Sequence, residues 1–193
     1  MEIVFIEENT FDKIDFRGNP LAKGEYESCR FLHCDFSDSD LSDCSFTDCE
    51  FSGCNLSLAK LTKTAFRDIK FRDCKMLGLH FDRCNEFGLS FSFESCNLNH
   101  STFYRTKIKK STFRNTHLQE ADFSECDLTG SLFDHCDLAR ATFDNTVIEK
   151  ADFRTSYNYS IDPEINRIKG ARFSLHGISG LLEKYDIIID STI

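Results

Sequence analysis

Cysteine and histidine are the side chains of this chain best equipped for chemistry, and it carries ten of the first and six of the second. Thiols in that number could pair as disulfides or ligate zinc. Their spacing argues for neither. Cys29, Cys34, Cys44, Cys49, Cys54, Cys74, Cys84, Cys96, Cys126 and Cys136 all stand two residues ahead of a step in one five-residue frame. They share that slot with Ala, Ser and Thr, so the slot asks for small volume, and a free cysteine behaves as a small hydrophobe. Five of the histidines, His33, His80, His100, His117 and His135, fall in outward slots with no constellation of Cys or carboxylate around them; His176 lies beyond the frame. There is no glycine-rich phosphate loop and no nucleophile elbow. The expectation is a non-enzyme without metal or cofactor, its thiols reduced as in a cytoplasmic protein.

The elements that must hold these side chains follow from the frame. Steps of five from Phe11 to Phe81 meet fifteen apolar residues in succession, and steps from Phe93 to Phe153 meet thirteen. Phe31, Phe51, Phe71, Phe103, Phe113, Phe123, Phe133, Phe143 and Phe153 stand at the centres. Two inward positions in five, one large and one small, match neither a helix nor a simple strand. They require a chain that turns a corner after each short straight segment, repeated as an array.

The unit shows in Ala121-Asp122-Phe123-Ser124-Glu125, Cys126-Asp127-Leu128-Thr129-Gly130 and Ala151-Asp152-Phe153. It resembles the pentapeptide repeat family over residues 6 to 173. The resemblance implies an all-β solenoid, a right-handed quadrilateral β-helix of about eight coils with four repeats each and a short C-terminal helix. Residues twenty apart would then stack about 4.8 Å from one another. Phe11, Phe31, Phe51 and Phe71 would form one column, and Phe16, Phe36, Leu56 and Met76 another. After Phe93, where Phe alternates with Leu or Ile, two Phe columns would oppose each other.

The frame breaks once: Phe81 to Phe93 is twelve residues, and the segment 84–92 reads as a swollen corner kept apolar by Phe87, Leu89 and Phe91. The swelling is either a bulge that adjusts twist or a recognition bump, and the bulge is preferred. A second irregular coil is expected at 157–167, where Asn158 and Pro163 occupy centre slots; proline cannot donate to a ladder. The array over 1–173 gives way to a C-terminal segment, 174–193. There Leu175, Ile178, Leu181, Leu182 and Tyr185 make a one-sided helical stripe, and Ile187–Ile189 a short strand. Capping of the open solenoid end accounts for such a segment. In the Qnr, MfpA, McbG and AlbG-like branch, which this layout resembles, the corresponding helix and tail form a homodimer.

Net charge is −9, which disfavours nucleic acid as a direct ligand, and no apolar run approaches a membrane span. The acidic start has no signal-peptide character. Charge is banded: residues 25–59 and 119–152 are acidic, 60–75 and 104–114 basic. Resemblance to that branch implies a DNA-mimicking rod that binds gyrase or topoisomerase IV in antibiotic or toxin resistance. Asp35, Asp38, Asp40, Asp43, Asp48, Glu120, Asp122, Glu125, Asp127 and Asp137 would be its partner-binding acids. Two observations pull against this: no face sums to a continuous acidic stripe, and Lys107, Lys109 and Lys110 give a DNA mimic nothing. The alternative is a scaffold for another cytoplasmic protein.

Overall fold

A computed structural model describes residues 4–190. The chain winds into a parallel β-solenoid with four faces. On the first face β1 (Val4–Glu7), β3 (Gly24–Glu27), β5 (Ser45–Thr47) and β7 (Ala65–Arg67) stack in parallel. On the second, β2 (Thr10–Asp12), β4 (Arg30–Leu32), β6 (Glu50–Ser52), β8 (Ile69–Arg72), β9 (Phe91–Glu94), β10 (Thr112–Arg114) and β11 (Leu132–Asp134) form one seven-stranded sheet. The third and fourth faces are joined by single parallel bridges such as Asp35↔Asn55 and Asp40↔Lys60. About seven turns carry a regular strand on the second face, and beyond β11 that face continues through the bridges Leu132↔Asp152 and Asp152↔Arg172.

Each corner is built by the residue two after the centre. His33, Asp38, Asp43 and Asp48 take left-handed backbone with φ of 53°, 56°, 60° and 51°, as do their counterparts along most of the chain. For a residue with a Cβ this conformation costs of order 1–2 kcal/mol. The ladder holds it: the corner N–H donates to the next coil, as from His33 to Ser52 at 2.8 Å and from Asp38 to Ser57 at 3.0 Å. On many repeats an Asp or Asn just before the centre adds a second clamp, accepting the N–H two residues on. Asp35 does so for Ser37 (2.9 Å), Asp40 for Ser42 (2.9 Å) and Asp122 for Ser124 (2.9 Å). Short polar side chains suit such turns for this reason.

Inside, nine phenylalanines stack without interruption along the second face, from Phe11 through Phe31, Phe51, Phe71, Phe93, Phe113, Phe133 and Phe153 to Phe173. Their ring centroids lie 4.5–5.5 Å apart. Phe81, Phe103, Phe123 and Phe143 stack on the fourth face, and the two columns meet edge to face, as between Phe113 and Phe123 at 6.1 Å. The small slots lie between them. Cys34, Cys54, Cys74 and Cys96 form one buried column, and Cys29 and Cys49 begin another. All ten cysteines are free, and only Cys84 is less than fully buried. Burial pushes the Cys49 and Cys136 thiols up to about 11, and hydrogen bonds with Cys54 and Cys96 hold Cys74 protonated.

The break falls on the first face. The second face beside it is unharmed, since β8 and β9 remain in register with a 22-residue offset. Glu86 stands where the frame asks for an inward residue and is exposed. Phe91 and Leu89 supply the missing volume from neighbouring positions, and Phe91 packs edge to face on Phe66 at 5.8 Å. Phe87, expected to keep the swelling apolar, instead points out and is 77% exposed.

The irregular coil solves its problem by substitution. Asn158 turns outward, while Tyr159 and Ile161 fill the core. Asn166 enters a small slot and is buried with its amide bonded to Phe143 O, Asp162 O and Thr146 N. The C-terminal stripe is one short helix, α1 (Ser179–Leu182), between tighter single turns at 175–177 and 183–185. The expected strand at Ile187–Ile189 is not formed: these residues belong to no sheet and are exposed.

Phe123→Ala, which empties a position closed above and below by rings, is expected to lower unfolding free energy by about 3–5 kcal/mol in a denaturant titration. Phe123→Leu should lose much less. A second expectation concerns pH, because several corner carboxylates sit below their ordinary pKa. The Ser42 hydroxyl and N–H, helped by Lys23, hold Asp40 at about 2; the Arg154 side chain and N–H lower Asp152. A folded pKa below the unfolded value gives stabilisation that is complete above about pH 4 and is lost as pH falls through the folded pKa. The melting temperature should therefore hold from about pH 7 to 5 and fall steeply towards about pH 2. Asp40→Asn/Asp152→Asn should start lower at neutral pH and fall less; an unchanged pH slope would count against the clamp.

Candidate protein-binding surface

Because residues twenty apart stack, the outer surface is a set of vertical rows. The second face neutralises itself. Arg72 reaches Glu50 at 3.1 Å and Glu94 at 3.4 Å, Arg114 approaches Asp134 at 3.8 Å, and Arg154 grips Asp152 at 2.8 Å. Exposed pairs of this kind add little stability individually, but they leave little net field. The third face carries an amide row. Asn99 and Gln119 exchange hydrogen bonds at 3.1 and 2.9 Å, and Gln119 and Asn158 both donate to Asp137 at 2.7 and 2.9 Å.

The ten acids expected to bind a partner divide into three groups. Asp35, Asp40, Asp122, Asp127 and Asp137 clamp corners, with Asp137 buried and Asp127 also holding Lys109 at 3.1 Å. Glu120 pairs with Arg140 at 2.6 Å and His100 at 3.2 Å, while Glu125 pairs with Arg105 at 2.7 Å and accepts from Tyr104 at 3.1 Å. Asp38, Asp43 and Asp48 make no ion pair among the described residues, but they occupy successive corners of a single coil. They ring the rod instead of lining it. Four histidines each touch one carboxylate: His33, His80, His100 and His135, at 3.3, 3.2, 3.2 and 2.7 Å. These are isolated surface pairs, and among the described residues no group of three ligands gathers around a metal position.

Charge is concentrated on the first face, and there it is polarised. Its four N-terminal levels present Glu7, Glu8, Glu25, Glu27, Asp48 and Asp68, none in an ion pair among the described residues. Its four C-terminal levels, joined through Lys107↔Asp127 and Val147↔Arg167, present Lys107, Lys110, Lys150 and Lys169, likewise unpaired. Between the halves lies the break. Phe87 stands under Arg67, whose guanidinium is 5.9 Å from its ring, and the loop is tied down by Ser90 donating to Asp68 at 3.1 Å. Summing charge over a whole face hides this polarity, whereas summing it on each side of the break exposes it. On the acidic half, Glu25, Glu27, Ser45, Thr47 and Arg67 line a shallow depression of about 320 Å³.

The C-terminal segment folds back on the irregular coil. Ile161 N–H donates to Gly180 O at 2.8 Å, and Gly180 lies so close to Tyr159 that a Cβ there would meet its carbonyl. Of the expected stripe, Leu181 packs towards the core and Leu182 is half-buried, while Leu175 (82% exposed), Ile178 and Tyr185 face outward. Lys184 bridges Asp162 and Glu164 at 2.7 Å each, and Tyr185 donates to Glu164 at 2.8 Å. Ile187 and Ile188 are exposed as well, and these five apolar side chains of the segment meet solvent. An open groove of about 1040 Å³ runs beside it, lined in part by Tyr157, Tyr159 and Leu182.

No curated protein matches the chain. Among solved structures it is similar to QnrB1, a plasmid-mediated fluoroquinolone resistance protein, in a trypsin-treated variant form. That match has a TM-score of 0.56 and 19% identity over 99% of this chain and 100% of that one. A second trypsin-treated variant of QnrB1 gives 0.55 and 18%, covering 96% and 97%. HetL, a pentapeptide repeat protein involved in heterocyst differentiation regulation in the cyanobacterium Nostoc sp. strain PCC 7120, gives 0.56 and 15%, covering 88% and 84%. At these identities the likeness is one of fold. The family model for the pentapeptide repeat region matches residues 25–92 and 80–153, together well over half the chain, and the chain belongs to the pentapeptide repeat family.

Proposed function

We propose that the chain is a non-catalytic, DNA-mimicking binder of DNA gyrase or topoisomerase IV, working in the cytoplasm in resistance to an antibiotic or toxin. The observation that carries this reading is the group of unpaired carboxylates on the first four levels, Glu7, Glu8, Glu25, Glu27, Asp48 and Asp68, with Asp43 around the adjoining corner. Fixed about one strand spacing apart, such charges present a regular negative row to a positively charged protein groove. The fold shared with QnrB1, a plasmid-mediated fluoroquinolone resistance protein, supports the setting of drug resistance. A second reading, a scaffold for another protein, is favoured by the unpaired Lys107, Lys110, Lys150 and Lys169, which a polyanion mimic does not need.

The test is gyrase supercoiling with purified protein, with and without a quinolone, at low and high salt. Inhibition or drug rescue that fades with salt, and that Glu25→Lys/Asp48→Lys abolishes, is the expected result. No effect at micromolar protein would leave the scaffold reading.

The apolar C-terminal end fits a second copy, giving an end-to-end homodimer through Leu175, Ile178 and Tyr185 with Ile187 and Ile188, and with Leu181 and Leu182 supporting them from behind. Leu181 packs towards the core, so a change there would confound folding with association. Leu175→Arg/Ile188→Arg alters only exposed side chains. It should halve the mass seen by light scattering; an unchanged dimer would place the contact elsewhere.

A further inference from the structure

We infer that the first face is a second self-association surface, on which two copies lie antiparallel with the acidic half of each against the basic half of the other and the two Phe87 rings at the centre. The inference rests on symmetry. Four levels of unpaired carboxylate stand on one side of the break; on the other side stand four levels, three of which bear unpaired lysine. A surface polarised in this way is complementary to itself when turned about a two-fold axis through the break, which is the geometry of an isologous contact. Level by level, Glu7 and Glu8 then meet Lys169 of the partner subunit, Glu25 and Glu27 meet the partner's Lys150, and Asp68 meets the partner's Lys107 and the partner's Lys110. Asp48 meets the one level without an unpaired lysine.

At the axis stands the most exposed phenylalanine of the described chain. Phe87 is 77% exposed although the core around it takes in Leu89 and Phe91, and the loop that carries it is fastened to the coil before it rather than free. An aromatic ring held outward at the centre of a charged field has the make-up of an interface anchor ringed by polar contacts. About nine levels at strand spacing make the face about 40 Å long. Two such faces bury about 1,000 Å², the range of weak and reversible contacts. The second, third and fourth faces offer no comparable polarity, and an end-to-end contact through the C-terminus leaves the first face free and its Phe87 residues far apart.

The experiment uses Phe87→Cys in the full chain, with Thr62→Cys on the exposed fourth face as the control, under mild oxidation at high micromolar protein. Nine of the ten native thiols are buried, so the introduced cysteine dominates the reaction. The expected result is disulfide-linked dimer forming at least about tenfold faster through position 87 than through position 62, with the advantage collapsing in high salt. In the Phe87→Cys background, Glu25→Lys/Glu27→Lys alone and Lys150→Glu alone should each abolish the advantage, and mixing these two variants, whose changed residues face one another, should restore it as a mixed dimer. Equal rates at positions 87 and 62, cross-linking indifferent to salt, or failure of the mixture to recover would each overturn the inference.

Discussion

Parallel strands in register lie about 4.8 Å apart, and flat aromatic rings stack at nearly the same distance. The rest of this molecule depends on that coincidence. Nine phenylalanines along the second face stack at 4.5–5.5 Å from the first coil to the last. A slip of one residue would turn each ring to solvent and bring a polar side chain inward, so the stack fixes register as well as burying area. Once register is fixed, everything one coil apart is stacked too: thiols on thiols, amides on amides, charges on charges. The surface is therefore a consequence of the core. A side chain outside has its neighbours chosen by rings inside.

The same constraint decides what could be read in the amino-acid sequence. Centres, small slots, the place of the break and the irregular last coil follow from counting in fives, because burial with a strict period leaves a strict record. What escaped has a common cause: at an irregularity the frame names a position but not its occupant. Glu86 holds a centre slot and points out; Phe91 sits in a small slot and fills the gap; Asn166 enters the core because three backbone partners satisfy its amide. Periodicity carries no information about such exchanges. The Ile187–Ile189 strand failed for a related reason. β-branched composition favours a strand only where an edge is offered, and the chain here runs past α1 with no ladder beside it.

Acidic composition overstated the acidic surface for a reason built into the repeat. On many repeats a short polar acceptor before the centre clamps the next corner, and Asp serves there as well as Asn. Asp35, Asp40, Asp122, Asp127 and Asp137 are therefore parts of the frame, with carboxylate oxygens already committed to backbone N–H groups. The acids with free carboxylates are those at corners or on the first-face strands, where the frame asks only for a residue that tolerates exposure. Position in the five-residue unit separates the clamping Asp residues from the corner acids, and the neighbours one coil away then divide the rest, pairing Glu120 and Glu125 while leaving Glu25 and Asp48 free; together these move the candidate site from a band around the rod to one half of one face.

A two-residue insertion then has consequences out of proportion to its size. On the second face it changes an offset from 20 to 22 and leaves the sheet whole. On the first face it ends the ladder, so β7 is followed by a loop rather than by a strand. A regular level at that point would have set one more side chain in each row between the acidic and the basic half. Such a side chain could bridge its neighbours, as Arg72 bridges Glu50 and Glu94 on the second face. The loop interrupts the rows, so the charges on either side of it stay unpaired and directed at solvent. The break thus does more than relieve twist: it keeps the polarity of the first face from being cancelled within the chain, and it sets an exposed aromatic ring where that polarity changes sign.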